Sequence, residues 1–348
     1  MFKPNTLLRA HLQKLVPYSS ARDDYKGSEG VFLDANENPL GSITEEDWNR
    51  YPDPYQKQLK SRIAEIKSVN SENIFLGNGS DEPIDLLFRA FCEPGKDNVV
   101  INPPTYGMYK VSADINNVEA REILLTSDYD LDVAGIKSAI DENTKLIFIC
   151  SPNNPTGNDM SLNRIEEVLG FFKGIVLVDE AYVDFTDRES FIYKLNQYPN
   201  LLVLQTFSKA WGLAALRLGM AFASEEILAI LNRIKAPYNL SGLVQKTVYQ
   251  ALQNLDKKDR MVTEILNNRN QLGEALKQNY LIKKVYATDA NFFLVKMEHA
   301  SDVYRKLIEK KIILRDRSKV ALCEGGIRIT VGNKRENELL IEALKNLK

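Results

Sequence analysis

Short apolar runs alternate with stretches of helical periodicity through the middle of the chain. Several of these runs are continuous rather than alternating, as is typical of strands buried on both faces of a sheet. The runs predict strands over 74–76, 98–101, 119–124, 146–150, 175–178, 201–204 and 220–223. The periodic stretches predict helices between them, among them 82–91, 107–114 and 162–172. Strands separated by helices predict an α/β fold with a mostly parallel sheet of about seven strands, covered by helices.

The pattern changes on both sides of this segment. Residues 1–45 read as an N-terminal arm with a short predicted strand at 31–33, and a helical period follows at 55–69. Past Pro237 the chain predicts a helical stretch over 242–280 broken near Asp256, strands over 291–295 and 327–331, and helices over 302–310 and 336–346. We therefore expect a large domain over 46–240 and a smaller α+β domain over 241–348, to which the arm contributes.

The composition limits the kinds of molecule that we expect this protein to bind. Lys and Arg number 45 and Asp and Glu number 47, so the net charge of −2 favours neither nucleic acid nor an anionic membrane surface. The 3 cysteines and 2 histidines lack metal-ligand spacing, so we expect no metal site and no histidine-based triad. We also expect a cytoplasmic protein, because the cysteine pattern fits a reducing compartment and neither a signal-peptide core nor a membrane-spanning run occurs.

Lys209 is the most informative residue, because it follows the apolar run 201–204 in a loop of small side chains. A lysine at the carboxyl end of a buried strand is well placed to form a Schiff base with a carbonyl compound. Thr206, Ser208 and Arg217 surround it in sequence and together could hold a phosphate. An aldehyde and a phosphate on one small molecule describe pyridoxal 5'-phosphate. A solvated lysine in a surface loop is the alternative.

Two further strand ends carry polar groups suited to the same molecule. Asp179 ends the run 175–178, and a partly buried carboxylate needs a positive partner such as a protonated pyridine nitrogen. Tyr182 could reach the phenolic oxygen of that ring. Asn154, in the loop SPNNPTG at 151–157, can point its amide at a ligand oxygen. An aspartate that caps a helix and a plain turn are the alternatives.

An anion site is predicted at the start of the helix over 82–91. Gly79, Ser80 and Asp81 place backbone N–H groups where a helix N-terminus favours a negative charge. Tyr106 lies at the tip of the loop PPTYG, where it could stack on a flat ring. Ordinary first-turn residues and a core or rim tyrosine are the alternatives.

Taken in order, these motifs resemble the fold-type I pyridoxal-phosphate aminotransferases. More narrowly, the chain is similar to the histidinol-phosphate aminotransferase family in the stretches RAFCEPG at 89–95, PPTYGMY at 103–109, GLAALR at 212–217, IILRD at 312–316 and RITVG at 328–332. That family moves an amino group between L-histidinol phosphate and 2-oxoglutarate, giving imidazole acetol phosphate and L-glutamate, in L-histidine biosynthesis. Ala215, where relatives often have Gly, and Ser80, where many have Ala, are small departures.

The resemblance also implies a role for each site residue. Lys209 holds the cofactor as a Schiff base and shuttles the proton between the α-carbon of the substrate and the cofactor. Asp179 pairs with the ring nitrogen, Asn154 and Tyr182 hold the phenolic oxygen, and Tyr106 stacks on the ring. The residues implied around the cofactor phosphate are Ser80, Asp81, Thr206, Ser208, Arg217 and, from a neighbouring subunit, Tyr51. The residues implied for the substrate are Tyr18, Asn36, Arg315 and Arg328. A neighbouring Tyr51 implies a homodimer with shared active sites.

Three alternatives stay open at the level of sequence. The nearest alternative is a threonine-phosphate decarboxylase, which has the same fold and also acts on a substrate that carries a phosphate. The second alternative is an aromatic or broad-specificity aminotransferase. A pyridoxal-phosphate-binding transcription regulator belongs to a different class. Residues 1–30 precede the first matched motif in this chain and are not basic enough for a DNA-binding domain.

Overall fold

The computed structural model describes residues 2–18 and 30–347 and folds them into two sheets surrounded by helices. Seven strands form the larger sheet: β1 (Ile74–Asn78), β2 (Asn98–Ile101), β3 (Glu119–Glu122), β4 (Thr144–Cys150), β5 (Ile175–Asp179), β6 (Leu201–Thr206) and β7 (Leu218–Ala223). They lie in the order β1-β7-β6-β5-β4-β2-β3, and only β7 runs antiparallel to its neighbours. The predicted α/β class with a mostly parallel seven-stranded sheet is confirmed.

Ten α-helices lie in the described part of the chain. They are α1 (Lys57–Lys67), α2 (Asp81–Phe91), α3 (Met108–Ile115), α4 (Val133–Ala139), α5 (Leu162–Phe171), α6 (Glu225–Ile234), α7 (Gly242–Ala251), α8 (Leu255–Lys277), α9 (Ala300–Glu309) and α10 (Lys334–Lys345). Those from α1 to α7 cover the two faces of this sheet. In β4, Ile147 and Ile149 face the core under α1, α5 and α7, whereas Leu146 and Phe148 face the core under α2, α3 and α6. This double burial explains why the strand is continuously apolar.

Four shorter strands form a second, antiparallel sheet: β8 (Ile282–Val285), β9 (Phe292–Met297), β10 (Arg315–Asp316) and β11 (Gly326–Thr330), in the order β10-β11-β9-β8. One face packs on α8, α9 and α10, with Phe293 and Val295 of β9 in that core. The other face is turned towards the larger sheet, because Phe292 and Leu294 belong to the core of that sheet.

Some predicted boundaries were wrong. The structure has no strand at 31–33, where Val31 and Leu33 are exposed. The predicted helical break near Asp256 is confirmed at 252–254, and Asp256 itself sits in the first turn of α8, where the helix dipole stabilises its negative charge. The domain limits at 45 and 240 stay predictions, and Val248 of α7 packs in the core of the larger sheet. Part of the predicted arm, 19–29, lies outside the described residues.

No helix in the described part of the chain is long and apolar enough to span a bilayer.

Candidate active site

The carboxyl ends of β4, β5 and β6 lie side by side at one edge of the larger sheet. Asp179, the last residue of β5, is in register with Cys150 of β4 and Leu204 of β6. Lys209 follows in the turn after β6, and its Nζ lies 5.4 Å from the centre of the Tyr182 ring. The parallel strands therefore bring together residues that are far apart in the sequence.

Asp179 is a buried carboxylate held by two hydrogen bonds. Its Oδ2 accepts a bond of 2.7 Å from the hydroxyl of Tyr109, and its Oδ1 accepts one of 3.0 Å from the backbone N–H of Ala181. Burial raises the pKa of Asp179 to about 6, although both hydrogen bonds act in the opposite direction. None of the described cations lies within ion-pair distance of this carboxylate. A buried acid of this kind needs a positive partner.

Tyr109 is a site residue that the sequence reasoning missed. It lies in α3, is fully buried, and stacks on Phe148 of β4 with ring centres 4.9 Å apart. Burial and the neighbouring Asp179 charge raise the pKa of Tyr109 well above its ordinary value, so its hydroxyl remains a donor. The only sequence signal is a tyrosine on the apolar face of a helix, a place where a buried hydroxyl needs a partner.

The Lys209 side chain is exposed at this edge. Desolvation by the surrounding protein lowers its pKa most, and the positive charge of Arg328 lowers it further. Asp179 acts in the opposite direction. A lowered pKa makes the neutral amine, which is the nucleophilic and basic form, more accessible near neutral pH.

The residues predicted for the anion site lie where the start of α2 meets the end of the Lys209 loop. The N–H of Gly79 donates to the carbonyl of Arg217 at 2.7 Å, and Arg217 Nη2 lies 3.4 Å from Asp81 Oδ2. Gly79 has a φ of +71°, and a Cβ there would lie 2.7 Å from Arg217 Nη2. Ser80 begins the helix without a side-chain capping bond. The missing Cβ at position 79 therefore lets the guanidinium of Arg217 approach the start of α2, where a helix N-terminus favours a negative charge.

Thr206 and Ser208 lie on the same loop. The hydroxyl of Thr206 accepts a bond of 3.1 Å from the N–H of Ser208, which fixes the turn that leads from β6 to Lys209. Tyr106, on the loop before α3, donates from its hydroxyl to Asp81 Oδ1 at 3.1 Å. The contact with Asp81 places Tyr106 beside the residues predicted to hold the cofactor phosphate.

The loop 151–157 places Asn154 opposite the second sheet. The buried side chain of Asn153 donates to the carbonyl of Pro104 at 2.8 Å, which ties this loop to the loop that carries Tyr106. Asn154 is buried, and its Oδ1 accepts a hydrogen bond from Arg328 Nη1. Asn154 and Arg328 were predicted separately for cofactor and substrate, and the structure joins them directly.

The two arginines predicted for the substrate are neighbours in the second sheet. Arg315 of β10 and Arg328 of β11 are paired in register, so their side chains leave the same face. The guanidinium of Arg328 lies 5.3 Å from the centre of the Phe292 ring, and that ring packs edge-on against Tyr182 at 5.1 Å. The arginines therefore face the Lys209 edge of the larger sheet.

Tyr51, Asn36 and Tyr18 are not brought into this group within one chain. Tyr51 is half exposed and stacks on Tyr238 with ring centres 4.5 Å apart. Asn36 and Tyr51 line one cavity of about 550 Å³ that Trp48 and Tyr238 also border. Tyr18 lines a much smaller cavity that also borders Tyr238.

A buried ion pair lies next to the carboxyl ends of β4 and β5. The sequence reasoning also missed this pair. Glu180 follows Asp179 with a fully buried side chain, and its Oε1 lies 3.1 Å from Arg188 Nη2. Arg188 also contacts Asp159 Oδ1 at 2.9 Å and donates to the carbonyl of Ser151 at 3.0 Å. This network links β5 to the loop that carries Asn154.

Known proteins resemble the whole chain. Residues 26–344 match the family described as aminotransferase class I and II. The histidinol-phosphate aminotransferase of Cytophaga hutchinsonii is 55% identical over 344 residues, which cover 99% of this chain and 99% of that protein. The histidinol-phosphate aminotransferase of Christiangramia forsetii is 51% identical over 348 residues, covering 99% of this chain and 98% of that protein.

A solved structure agrees with this result at the level of the fold. The histidinol-phosphate aminotransferase from Sinorhizobium meliloti, in complex with pyridoxal-5'-phosphate, superimposes with a TM-score of 0.78. It is 23% identical and covers 99% of this chain and 94% of that chain. The predicted fold type is therefore confirmed. The chain belongs to the aminotransferase class I and II family and, within that family, to the histidinol-phosphate aminotransferases.

Proposed function

We propose that this protein is a pyridoxal-5'-phosphate-dependent enzyme that moves the amino group of L-histidinol phosphate to 2-oxoglutarate. The products are imidazole acetol phosphate and L-glutamate, and the reaction is a step of L-histidine biosynthesis. The observation that carries the proposal is the meeting of Lys209, the buried Asp179 and the arginine Arg328 at one edge of the sheet. Similarity to relatives of that name over nearly the full length supports the choice of substrate.

The residues at this edge fit pyridoxal phosphate. Asp179 is a buried carboxylate that lacks a cation among the described residues, which suits a protonated ring nitrogen. Arg217 and the start of α2 at Ser80 suit the phosphate, because a guanidinium and a helix N-terminus both favour an anion. The absence of a Cβ at Gly79 lets the two approach each other. The other residues proposed to contact the cofactor are Asp81, Tyr106, Asn154, Tyr182, Thr206, Ser208 and Lys209.

When bound, the cofactor supplies an aldehyde that accepts the amino group and a ring that withdraws electrons from the reacting carbon. Lys209 binds that aldehyde between turnovers and moves the proton at the α-carbon of the substrate, a task for which its lowered pKa is suited. Asp179 keeps a negative charge beside the ring nitrogen. Asn154 and Tyr182 orient the phenolic oxygen.

Arg315 and Arg328 are proposed to bind the anionic end of each substrate. Guanidinium groups bind phosphate and carboxylate in a bidentate manner, so the same pair can serve a phosphate ester and a dicarboxylate. The contact between Arg328 and Asn154 would couple the substrate anion to the residue that orients the cofactor ring. The assignments of Asn36 and Tyr18 to the substrate stay predictions.

We further infer a cytoplasmic homodimer in which Tyr51 reaches the cofactor phosphate of the other subunit. This is supported by the half-exposed position of Tyr51 on Tyr238 within its own chain. The test is to co-express Tyr51→Phe and Lys209→Ala chains. If sites are shared, a hybrid dimer holds one complete site, so activity should rise above that of either variant alone. No gain in demonstrated hybrids would exclude shared sites.

The reaction itself is tested one half at a time. Adding L-histidinol phosphate to the cofactor-loaded protein should convert the bound cofactor to its amino form, seen as a change in absorption. Adding 2-oxoglutarate should then reverse the change. If glutamate converts the cofactor and L-histidinol phosphate does not, the assignment of substrate fails. Release of carbon dioxide from threonine phosphate would instead favour a decarboxylase.

A further inference from the structure

A third arginine, Arg317, lies beside the pair formed by Arg315 and Arg328. The N–H of Arg317 donates to the carbonyl of Gly326 at 2.9 Å, which continues the pairing of β10 with β11 by one residue. Alternate residues of a strand share a face, so Arg315 and Arg317 lie on the same side of the sheet. Asp316 points the other way, where Ser301 of α9 donates to its Oδ2 at 3.1 Å.

The face that carries these arginines is the one turned towards Lys209. Ile327, opposite Asp316, is in the core under α8, α9 and α10, whereas Arg328 and the cross-strand residue Leu294 occupy the other face. On that same face Phe292 packs edge-on against Tyr182. Burial raises the pKa of Tyr182, and the positive charges of Arg328 and Arg317 act in the opposite direction. This effect agrees with the position of Arg317 on the same face.

The three guanidinium groups have no acidic partners among residues 2–18 and 30–347. Across the described residues, none of them forms an ion pair with a carboxylate. The Nε of Arg317 is buried and has no hydrogen-bond partner. Burial lowers the pKa of Arg317 most, and the charges of Arg328 and Arg315 lower it further. Three neighbouring cations with an unsatisfied buried donor are unfavourable by themselves, and a polyvalent anion relieves both costs.

We propose that Arg317 is a third anion-binding residue, which makes the site prefer an amino donor that carries a phosphate monoester over one that carries a carboxylate at that end. A phosphate monoester has a charge of about −1.5 to −2 and three acceptor oxygens, whereas a carboxylate has one charge and two oxygens. Two arginines satisfy the carboxylate, so the third contributes mainly to the phosphate. The inference deepens the proposed function and rests on it for the identity of the donor.

The test compares the two donor half-reactions in Arg317→Gln. We expect kcat/KM for L-histidinol phosphate to fall by about 10- to 100-fold, mainly through KM, as for the loss of a charged hydrogen bond. The loss for glutamate should be smaller, about threefold. Arg335→Gln is the matched control and should change neither value. It removes an exposed positive charge from α10, a helix that packs on the same sheet. Equal losses for both donors, or none, would overturn the proposal.

Binding of inorganic phosphate gives a readout that is independent of turnover. Calorimetric titration of the loaded enzyme should show weaker phosphate binding in Arg317→Gln and unchanged binding in Arg335→Gln. Arg317→Lys, which keeps the charge and loses the planar fork, should lie between Arg317→Gln and the wild type. If the wild-type protein fails to use L-histidinol phosphate, the proposed function fails. If it does use it and Arg317→Gln is unchanged in both assays, only the present inference fails.

Discussion

The hydroxyl of Tyr109 donates a 2.7 Å hydrogen bond to Oδ2 of Asp179, and both side chains are buried. The two residues come from α3 and β5, which are 70 positions apart in the chain. This bond favours the ionised carboxylate against the burial that raises its pKa. Tyr109 thus holds the carboxylate that we propose to pair with the ring nitrogen of the cofactor.

Replacing Tyr109 by Phe removes this donor and keeps the ring that stacks on Phe148. Hydrogen bonds to charged groups contribute about 1.5–3 kcal/mol, so we expect the affinity for pyridoxal phosphate to fall roughly 10- to 100-fold. Titration of the cofactor-free protein with cofactor measures this. Tyr193→Phe, at an exposed tyrosine, is the control. An unchanged affinity in Tyr109→Phe would contradict the role.

The raised pKa of Asp179 predicts a pH dependence for the cofactor-free protein. Asp179 titrates near its ordinary value of about 3.9 when unfolded and at about 6 when folded, so the folded state binds the proton more tightly. This contribution to stability is present below pH ~4 and lost as the pH rises through about 6. It amounts to about 3 kcal/mol.

The measurement is urea unfolding of the cofactor-free wild type and of Asp179→Asn from pH 4 to pH 7. The variant lacks the titrating group, so the difference between the two proteins isolates it. The wild type should lose about 2 kcal/mol relative to the variant over this range, because the unfolded carboxyl is already about half ionised at pH 4. A constant difference, or one of opposite sign, would show that Asp179 is not a buried acid with a raised pKa.

Lys209→Ala should abolish turnover and leave the fold intact. Lys209 is exposed on a loop outside the hydrophobic core, so the thermal midpoint of the cofactor-free protein should change little. Lys277→Ala, an exposed lysine in the last turn of α8, is a control that should keep activity. Full activity in Lys209→Ala would rule out the proposed mechanism.

Arg188→Met should destabilise the protein strongly, because the buried carboxylate of Glu180 keeps its hydrogen-bond donors but loses its positively charged partner. Removing one member of a buried pair costs about 3–5 kcal/mol. Arg121→Met, which breaks a partly exposed pair with Asp141, should cost about 0–1 kcal/mol. Chemical denaturation of the three proteins measures both effects. Equal small losses would mean that the network contributes little.

The apolar runs and helical periods were sufficient to predict the seven strands of the larger sheet. For the central strands this worked because strands buried on both faces must be continuously apolar, as in β4 with Ile147 and Phe148, whereas the edge strand β3 is partly exposed. The residues at the strand ends, Asp179 and Lys209, were identified for the same reason. A charged side chain directly after such a run, as for Asp179, or in the loop that follows it, as for Lys209, is unusual and can therefore be recognised from the sequence alone.

The sequence by itself thus determined the layers of the larger sheet and which strand ends are followed by polar residues suited to the proposed chemistry. Only the tertiary structure decided which distant side chains serve those ends. Tyr109 looks like an ordinary core tyrosine until the fold brings α3 beside β5. The strand β10 has 2 residues, which is too short for a periodic pattern of apolar and polar positions. Arg317 reads as one charge in an alternating loop until strand pairing places it beside Arg328. Local periodicity records burial, whereas hydrogen bonds and charge clusters between distant segments depend on packing that local pattern does not encode.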